Sequence, residues 1–227
     1  MTRRTALETR ELIRTTALRL FAERGYDATT MRLVAQEAGV AVGNAYHHAA
    51  SKDALVQELY LEVNRAHVEL ARTRLRPGDL GERLRTTWHA ALDVFGPYHR
   101  FGAESIGAAV RPGSPASPFS PASAPSADLA RDLLREVVTG ATPAVPADLR
   151  DDLVQALWLA HLGVTAAWVH DDSPDARRTR ELVDAAAPLV ARLVRLARLP
   201  VARGLVQDLL ALVRRIGPAT PVAGEPR

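Results

Sequence analysis

The residues of this chain with the most evident chemistry stand together in one short stretch, GVAVGNAYHH, at positions 39–48. The stretch ends in His47 and His48, and Asn44 and Tyr46 come shortly before them. A histidine pair can bind a metal ion, act as a catalytic dyad, or hydrogen-bond to a phosphate backbone. The choice among these depends on the element that carries the pair.

Helical geometry argues against a metal site and against a catalytic dyad. Adjacent residues of a helix point about 100° apart, so His47 and His48 are not placed to bind one ion together. Zinc prefers histidines four residues apart, with carboxylate or thiolate ligands, and the chain has no cysteine. No nucleophile with a partner base is evident elsewhere. We therefore expect no metal, no cofactor and no enzymatic activity.

The elements around this stretch predict a helix-turn-helix. Thr5 and Glu8 form a capping box for a first helix. Thr30 can cap a short second helix, and Gly39 can end it in a left-handed conformation. A third short helix then begins near Val42. In such a unit the last helix enters the major groove of DNA and its neighbours contact phosphates.

The charge distribution supports binding to DNA by this end of the chain. Residues 1–52 hold eight basic and five acidic side chains, whereas the other 175 residues hold 21 of each, so the net charge of +3 lies in the first quarter. The residues that we expect at double-stranded DNA are Thr29, Thr30, Arg32, Val42, Gly43, Asn44, Tyr46, His47 and Lys52.

Each residue type in this set suits a particular contact. Asn44 can donate and accept at a base edge. Tyr46 and His47 can reach phosphate oxygens, and Lys52 adds charge at a helix N-terminus that already favours an anion. Gly43 lets the backbone approach the duplex closely.

Residues 17–55 resemble the DNA-binding head of the tetracycline-repressor (TetR) family. The resemblance rests on Phe21, Gly25-Tyr26, Thr29-Thr30, Val34-Ala35, Ala38-Gly39-Val40, Gly43, Tyr46, His48, Ser51-Lys52 and Leu55. It implies an all-α fold, with a three-helix head followed by a larger helical domain that binds a ligand and dimerises. Three residues depart from the family pattern. Ala41 replaces a serine or threonine helix cap, Val42 a frequent polar or basic residue, and Ala49 a phenylalanine.

The rest of the chain also has helical periodicity, with no convincing strand pattern. We predict a DNA-binding domain at 1–50, an effector and dimerisation domain at 51–217, and a disordered tail at 218–227. Residues 111–126 contain five prolines and five serines and are not predicted to be helical. This segment is either a flexible linker or folds back on the body through Phe119. No secretory signal and no run of about 18 apolar residues is evident, so we expect a cytoplasmic protein.

Two predicted helices near the end of the chain carry aliphatic seams at spacings of three and four. Such seams suit either an intrachain core or a four-helix bundle made by two subunits, and the family resemblance favours the homodimer. A two-fold dimer would bind a palindromic operator. The predicted dimer residues are Leu153, Leu157, Ala160, Val164, Leu182, Ala186, Leu189, Leu193 and Leu196.

Aromatic residues with polar neighbours predict a cavity for a small molecule, although the same residues also suit a plain core. The predicted effector residues are Trp88, His89, Phe95, His99, Phe101, Trp158, His161, Thr165 and Trp168. The sequence thus predicts a repressor released from its operator by a small apolar molecule. The alternative is a ligand-independent or architectural DNA-binding protein, for which a body of this size would be unnecessary.

Overall fold

The computed structural model describes residues 5–111 and 113–214, and every regular element in this part of the chain is helical. The predicted tail at 218–227 lies outside the described residues. Ten α-helices follow in order: α1 Ala6–Arg24, α2 Met31–Glu37, α3 Val42–His48, α4 Lys52–Arg74, α5 Leu80–Phe95, α6 His99–Val110, α7 Ala124–Thr139, α8 Arg150–Val169, α9 Arg177–Leu196 and α10 Pro200–Arg214. The all-α fold is confirmed.

Side-chain caps fix where the first helices begin. Thr5 and Glu8 form the predicted capping box, in which the Glu8 N–H donates to Thr5 Oγ1 and the Thr5 N–H donates to Glu8 Oε2. Thr30 caps α2 and Ser51 caps α4 in the same manner. Gly39 follows α2 with a φ of +65°, as predicted. Ala41 leaves α3 without any side-chain cap.

The head, α1 to α3, packs around a closed apolar core. Ile13, Phe21, Val34 and Ala45 are all fully buried in it. The same cluster takes in residues from beyond position 50, namely Leu55, Val56 and Leu59 of α4 and Phe101 of α6. The head therefore packs directly on the helices that lead into the body.

The body is a helical bundle in which α5 packs against α9 and α4, and α7 packs against α8 and α4. Its core includes Leu84, Trp88 and Leu92 of α5 with Leu157 and Trp158 of α8. Residues 147–169, which include α8, are long and apolar enough to cross a membrane by length and composition, with a mean hydropathy of 1.2. In this fold α8 is a core helix, in contact with α6, α7, α9 and α10.

The segment between α6 and α7 is folded onto the protein, which decides between the two alternatives left by the sequence. We call residues 113–123 the strap. Gln57 Nε2 of α4 donates to Pro115 O at 2.7 Å, and the Phe119 ring meets the Trp158 ring edge-on at 5.3 Å. A short 3₁₀ turn at 121–123 leads into α7, which begins at Ala124. The prediction of no helix before residue 127 was therefore wrong, because a proline in the first turn of a helix loses no intrahelical hydrogen bond.

Candidate functional site

The outward face of α3 carries polar and apolar side chains that no other element covers. Val42 is 41% exposed and Tyr46 is 52% exposed, and Asn44 and His47 are exposed beside them. On the opposite face Ala45 is fully buried against the head core. The small Ala45 side chain thus lets α3 sit close to the other head helices, and the predicted DNA-contacting residues of α3 are exposed on its other side.

Gly43 stands on this face in open space. A Cβ atom built at Gly43 would meet nothing within 4 Å. The fold of the chain therefore does not itself require glycine at this position, and the residue leaves room for an external partner to approach the backbone.

Thr29 and Thr30 have different environments although they are adjacent. Thr30 is exposed, and its Oγ1 accepts from the Leu33 N–H at 3.2 Å. Arg32 is exposed on the next turn. Thr29 is fully buried, and its hydroxyl donates to Gly25 O at 2.9 Å. The prediction that Thr29 contacts DNA was wrong, because this side chain closes the turn between α1 and α2.

Lys52 begins α4 and is partly buried against the same turn. Its ammonium group donates to Tyr26 O at 2.8 Å and lies 4.1 Å from the centre of the Tyr26 ring. Burial lowers the pKa of Lys52 below its ordinary value. Lys52 therefore anchors the turn with one hydrogen bond, and two further donors of the ammonium group are left for an anion.

The two histidines of the opening stretch differ in exposure, and their rings meet edge-on at 5.4 Å. Across residues 5–111 and 113–214, no group of three or more His, Cys, Asp or Glu side chains is placed to hold a metal ion.

A cavity of about 620 Å³ lies in the body, between α4, α6, α7, α8 and the strap. This volume is within the range of sites that enclose a drug-sized molecule. The predicted effector residues that line it are Phe95, Phe101, Trp158, His161, Thr165 and Trp168.

The other three predicted effector residues do not line the cavity. Trp88 is fully buried in the core of the body. His89 lies near the surface, where its Nε2 is 2.8 Å from Asp184 Oδ1 of α9. His99 lies behind the wall, with Nε2 2.9 Å from Trp168 O. These predictions were wrong because helical spacing gives a repeat but does not fix which way each helix is rotated.

Several cavity residues were not predicted from the sequence. α4 contributes Tyr60, Val63 and Asn64, α6 contributes Ser105, and the strap contributes Phe119. The only sequence signal among them was the lone aromatic residue of the strap. The residues from α4 and α6 have the pattern of ordinary amphipathic helices, so only the packing of the bundle distinguishes them.

His161 is the most buried polar side chain on the cavity wall among the predicted residues. Its ring is stacked on the buried His67 ring of α4, with the ring centres 5.5 Å apart and the planes 11° from parallel. Burial lowers the pKa of His161 to about 3 and that of His67 to about 4. Both imidazoles are therefore neutral at neutral pH.

The predicted dimer residues divide into two groups. Leu182, Leu189, Leu193 and Leu196 of α9 are each between 44% and 51% exposed. By contrast, Leu153, Leu157 and Val164 of α8 are buried in the core of their own chain. The prediction that these three residues meet a second subunit was wrong, because the seam of α8 packs inward. Ala160 and Ala186 are partly exposed.

Two family models match the chain. Residues 83–212 match the tetracycline repressor-like C-terminal domain, and residues 13–59 match the domain described as bacterial regulatory proteins, tetR family. The first of these matches alone covers more than half of the chain.

Individual relatives agree with the family models. The transcriptional repressor KstR2 of Mycobacterium tuberculosis is 54% identical over 43 residues, which are 19% of this chain and 22% of that protein. The regulator AcrR of Shigella flexneri is 38% identical over 80 residues, or 34% of this chain and 37% of that protein. The matched parts thus span less than two fifths of these relatives.

Solved structures extend the likeness to most of the chain. A TetR-family regulator from Syntrophomonas wolfei has a TM-score of 0.66 at 18% identity, covering 82% of this chain and 96% of that one. The fatty acid degradation regulator FadR from Bacillus halodurans has a TM-score of 0.61, also at 18% identity, with the same coverage. These likenesses extend the shared fold to both parts of the molecule. The chain belongs to the TetR family of bacterial transcriptional regulators.

Proposed function

We propose that this regulator is a homodimeric repressor that binds a palindromic operator and is released from it by a small apolar molecule. The observation that carries the proposal is that two residues belong to both functional regions. Leu59 of α4 and Phe101 of α6 are part of the head core and also line the cavity. A molecule that fills the cavity therefore presses on side chains against which the DNA-binding head is packed.

The exposed face of α3 supplies the contacts to DNA in this proposal. Asn44 hydrogen-bonds to a base edge and Val42 contacts a thymine methyl group. Tyr46, His47 and Lys52 bind phosphate oxygens and fix the position of α3 in the major groove. The repressor sense is supported by the relatives named KstR2, whose matched region is 54% identical to this chain.

The leucine face of α9 supports the homodimer. Four half-exposed leucines, Leu182, Leu189, Leu193 and Leu196, form one apolar strip. Strips of this kind on the surface of soluble proteins usually mark an interface. A second copy of the chain would cover this strip through a two-fold axis, with Ala160 and Ala186 allowing close approach. Two-fold symmetry then places two heads on two half-sites of the operator.

Release from DNA follows from linkage. A molecule that binds more tightly to the arrangement with misplaced heads shifts the population toward that arrangement, by no more than its differential affinity. The shared wall of Leu59 and Phe101 is the route by which an occupied cavity would favour such an arrangement.

Selection of binding sites from random DNA tests the proposal. We expect one palindromic sequence, with half-sites about one or more helical turns apart. A ligand-independent architectural protein would instead recover little sequence preference.

Sedimentation of the wild type and of Leu189→Arg tests the dimer, with the exposed Leu7→Arg of α1 as the control. We expect dimers for the wild type and the control, and monomers for Leu189→Arg. A wild-type monomer at micromolar concentration would refute the dimer.

A further inference from the structure

The wall of the cavity carries no charge among its described residues. Of the side chains that line it, none is Lys, Arg, Asp or Glu. Apart from the two tryptophans, the polar ones are Tyr60, Asn64, Tyr98, Ser105, Ser117, Ser123, Ser126, His161 and Thr165. A ligand of this cavity is therefore recognised by apolar contact and by a few neutral hydrogen-bonding groups.

Three of the seven hydroxyl groups in the wall donate to backbone carbonyls of the protein. Ser105 donates to Phe101 O at 2.8 Å, and Ser123 donates to Ser117 O at 2.7 Å. Thr165 donates to His161 O at 2.9 Å, one turn back along α8. Because these three hydroxyl groups already donate to backbone carbonyls, they are poor hydrogen-bond donors for a ligand.

His161 differs from these residues because its ring has no such partner. The side chain is only 5% exposed and lines the cavity, and no hydrogen bond joins its imidazole nitrogens to another residue of the described chain. His67 covers one face of the ring but hydrogen-bonds elsewhere, through Nε2 to Thr87 O at 3.0 Å. The fully buried unpaired side-chain atoms of the described structure are His67 Nδ1, Trp88 Nε1 and Gln155 Nε2, so the nitrogens of His161 keep some contact with open space, where a ligand can reach them.

The His161 ring is neutral at neutral pH. His161 is buried beside a second imidazole and apolar side chains, and burial holds its pKa at about 3. A neutral imidazole offers one N–H donor and one acceptor nitrogen. A hydroxyl group can satisfy either nitrogen, and a carbonyl group can accept from the N–H.

We propose that the cavity selects an uncharged, largely hydrocarbon molecule whose hydroxyl or carbonyl group hydrogen-bonds to His161. This inference rests on the proposed function, in which the cavity is the effector site. The lining side chains offer no opposite charge to a carboxylate, a phosphate ester or an ammonium group, so burial of such a group against them is strongly unfavourable. The Arg131 guanidinium lies 4.2 Å from the centre of the Trp158 ring, but it is already paired with Asp128. The cavity thus rejects the charged relatives of a molecule that it binds.

A head-group series on one hydrocarbon chain tests the selectivity in the wild-type protein. The probes are dodecanol, a dodecanone, dodecanoic acid and dodecylamine, each titrated at neutral pH and followed by the fluorescence of Trp158 and Trp168. We expect the alcohol and the ketone to bind at least about tenfold more tightly than both charged probes. Equal or tighter binding of the acid or the amine would overturn the proposal.

The variant His161→Phe tests the anchor, because it keeps the ring volume and the stacking but removes the hydrogen bond. We expect it to bind dodecanol about tenfold more weakly than the wild type. His161→Gln, which keeps a donor and an acceptor, should restore part of the loss, and the matched control His89→Phe, whose ring contacts Asp184 away from the cavity, should leave dodecanol binding unchanged. Unchanged binding by His161→Phe would overturn the assignment of His161.

Operator binding by the ligand-free wild type separates this inference from the proposed function. A protein that binds its operator but prefers a charged probe refutes only the ligand class. A protein that binds no operator refutes the proposed function itself.

Discussion

The head and the body of this regulator are packed differently. In the described part of the head, Ile13, Leu20 and Phe21 are fully buried, and the hydroxyl group of the fully buried Thr29 donates a hydrogen bond. The body has a partly open cavity of about 620 Å³, and it leaves His67 Nδ1, Trp88 Nε1 and Gln155 Nε2 buried without a partner in the described structure. A filled core holds one arrangement, whereas a cavity can be occupied or empty. The difference supports the proposal that the body is the part of the molecule that responds to a ligand.

Leu59 and Phe101 belong to both regions, because they are buried in the head core and also line the cavity. In addition, Ala116 of the strap is buried in the head core, while its neighbours Ser117 and Pro118 line the cavity. The head therefore packs on side chains that also line the cavity, which is the contact through which the proposed effector would act.

The largest expected effect is the loss of packing in the head. Phe21→Ala removes a fully buried ring from a filled core and should lower the free energy of unfolding by about 3–5 kcal/mol. Phe119→Ala, at the half-exposed ring over the cavity, should lower it by only about 1 kcal/mol. Urea unfolding of both variants measures the difference. Equal losses would show that the two regions do not differ in packing.

The next effect is a sensitivity of the body to acid. The pKa values of His67 and His161 are lowered in the folded protein, to about 4 and about 3, from an ordinary value of 6.5. In this pH range the two histidines take up protons in the unfolded chain but stay neutral in the folded chain. The free energy of unfolding therefore falls by a few kcal/mol in all as the pH drops from about 6.5 toward 4. The free energy of unfolding, measured with urea across this range, should depend less steeply on pH in His67→Phe than in the wild type. An identical slope in the variant would mean that the histidine is not protected from protons.

A smaller effect separates recognition of bases from attraction to phosphates on the head. Asn44→Ala should change the preferred base at one position of each half-site, with about 1–3 kcal/mol of discrimination lost. Lys52→Ala should weaken binding to all sequences alike and reduce the slope of affinity against salt by about one. Fluorescence anisotropy with operator variants at several salt concentrations measures both. If Lys52→Ala leaves the dependence of DNA affinity on salt concentration unchanged, Lys52 does not contact DNA.

The smallest effect concerns the start of the recognition helix. Ala41→Ser gives α3 the side-chain cap that it lacks and should raise the free energy of unfolding by about 1 kcal/mol. The matched control Ser51→Ala removes the cap that accepts from the Ala54 N–H and should lower it by a similar amount. The midpoint temperatures of thermal unfolding of the two variants should shift in opposite directions from that of the wild type. No gain from Ala41→Ser would mean that water already satisfies this helix end.

Local chemistry made part of this structure predictable. The caps at Thr5, Thr30 and Ser51 and the left-handed Gly39 depend on neighbours within a few residues, so the sequence located the first helices closely. The rotation of a helix depends on distant partners. For that reason the seam of α8 was mistaken for a dimer surface at Leu153, and His89 was mistaken for a cavity residue.

The strap illustrates the same limit. Its prolines and serines predict irregular structure, but not the hydrogen bond from Gln57 to Pro115 that ties it to α4. Likewise, Thr29 matches the family pattern as well as Thr30 does, and only the closed turn explains why one is buried.

The central claim is that the cavity and the head are coupled through their shared wall, and reciprocal linkage tests it most directly. The affinity of the wild-type protein for its operator is measured with and without saturating dodecanol, and its affinity for dodecanol is measured with and without operator DNA. We expect operator DNA and dodecanol each to weaken the binding of the other by the same factor, about 5-fold or more. If dodecanol binds in the cavity and the affinity for the operator does not change, the two regions are independent and the account is wrong.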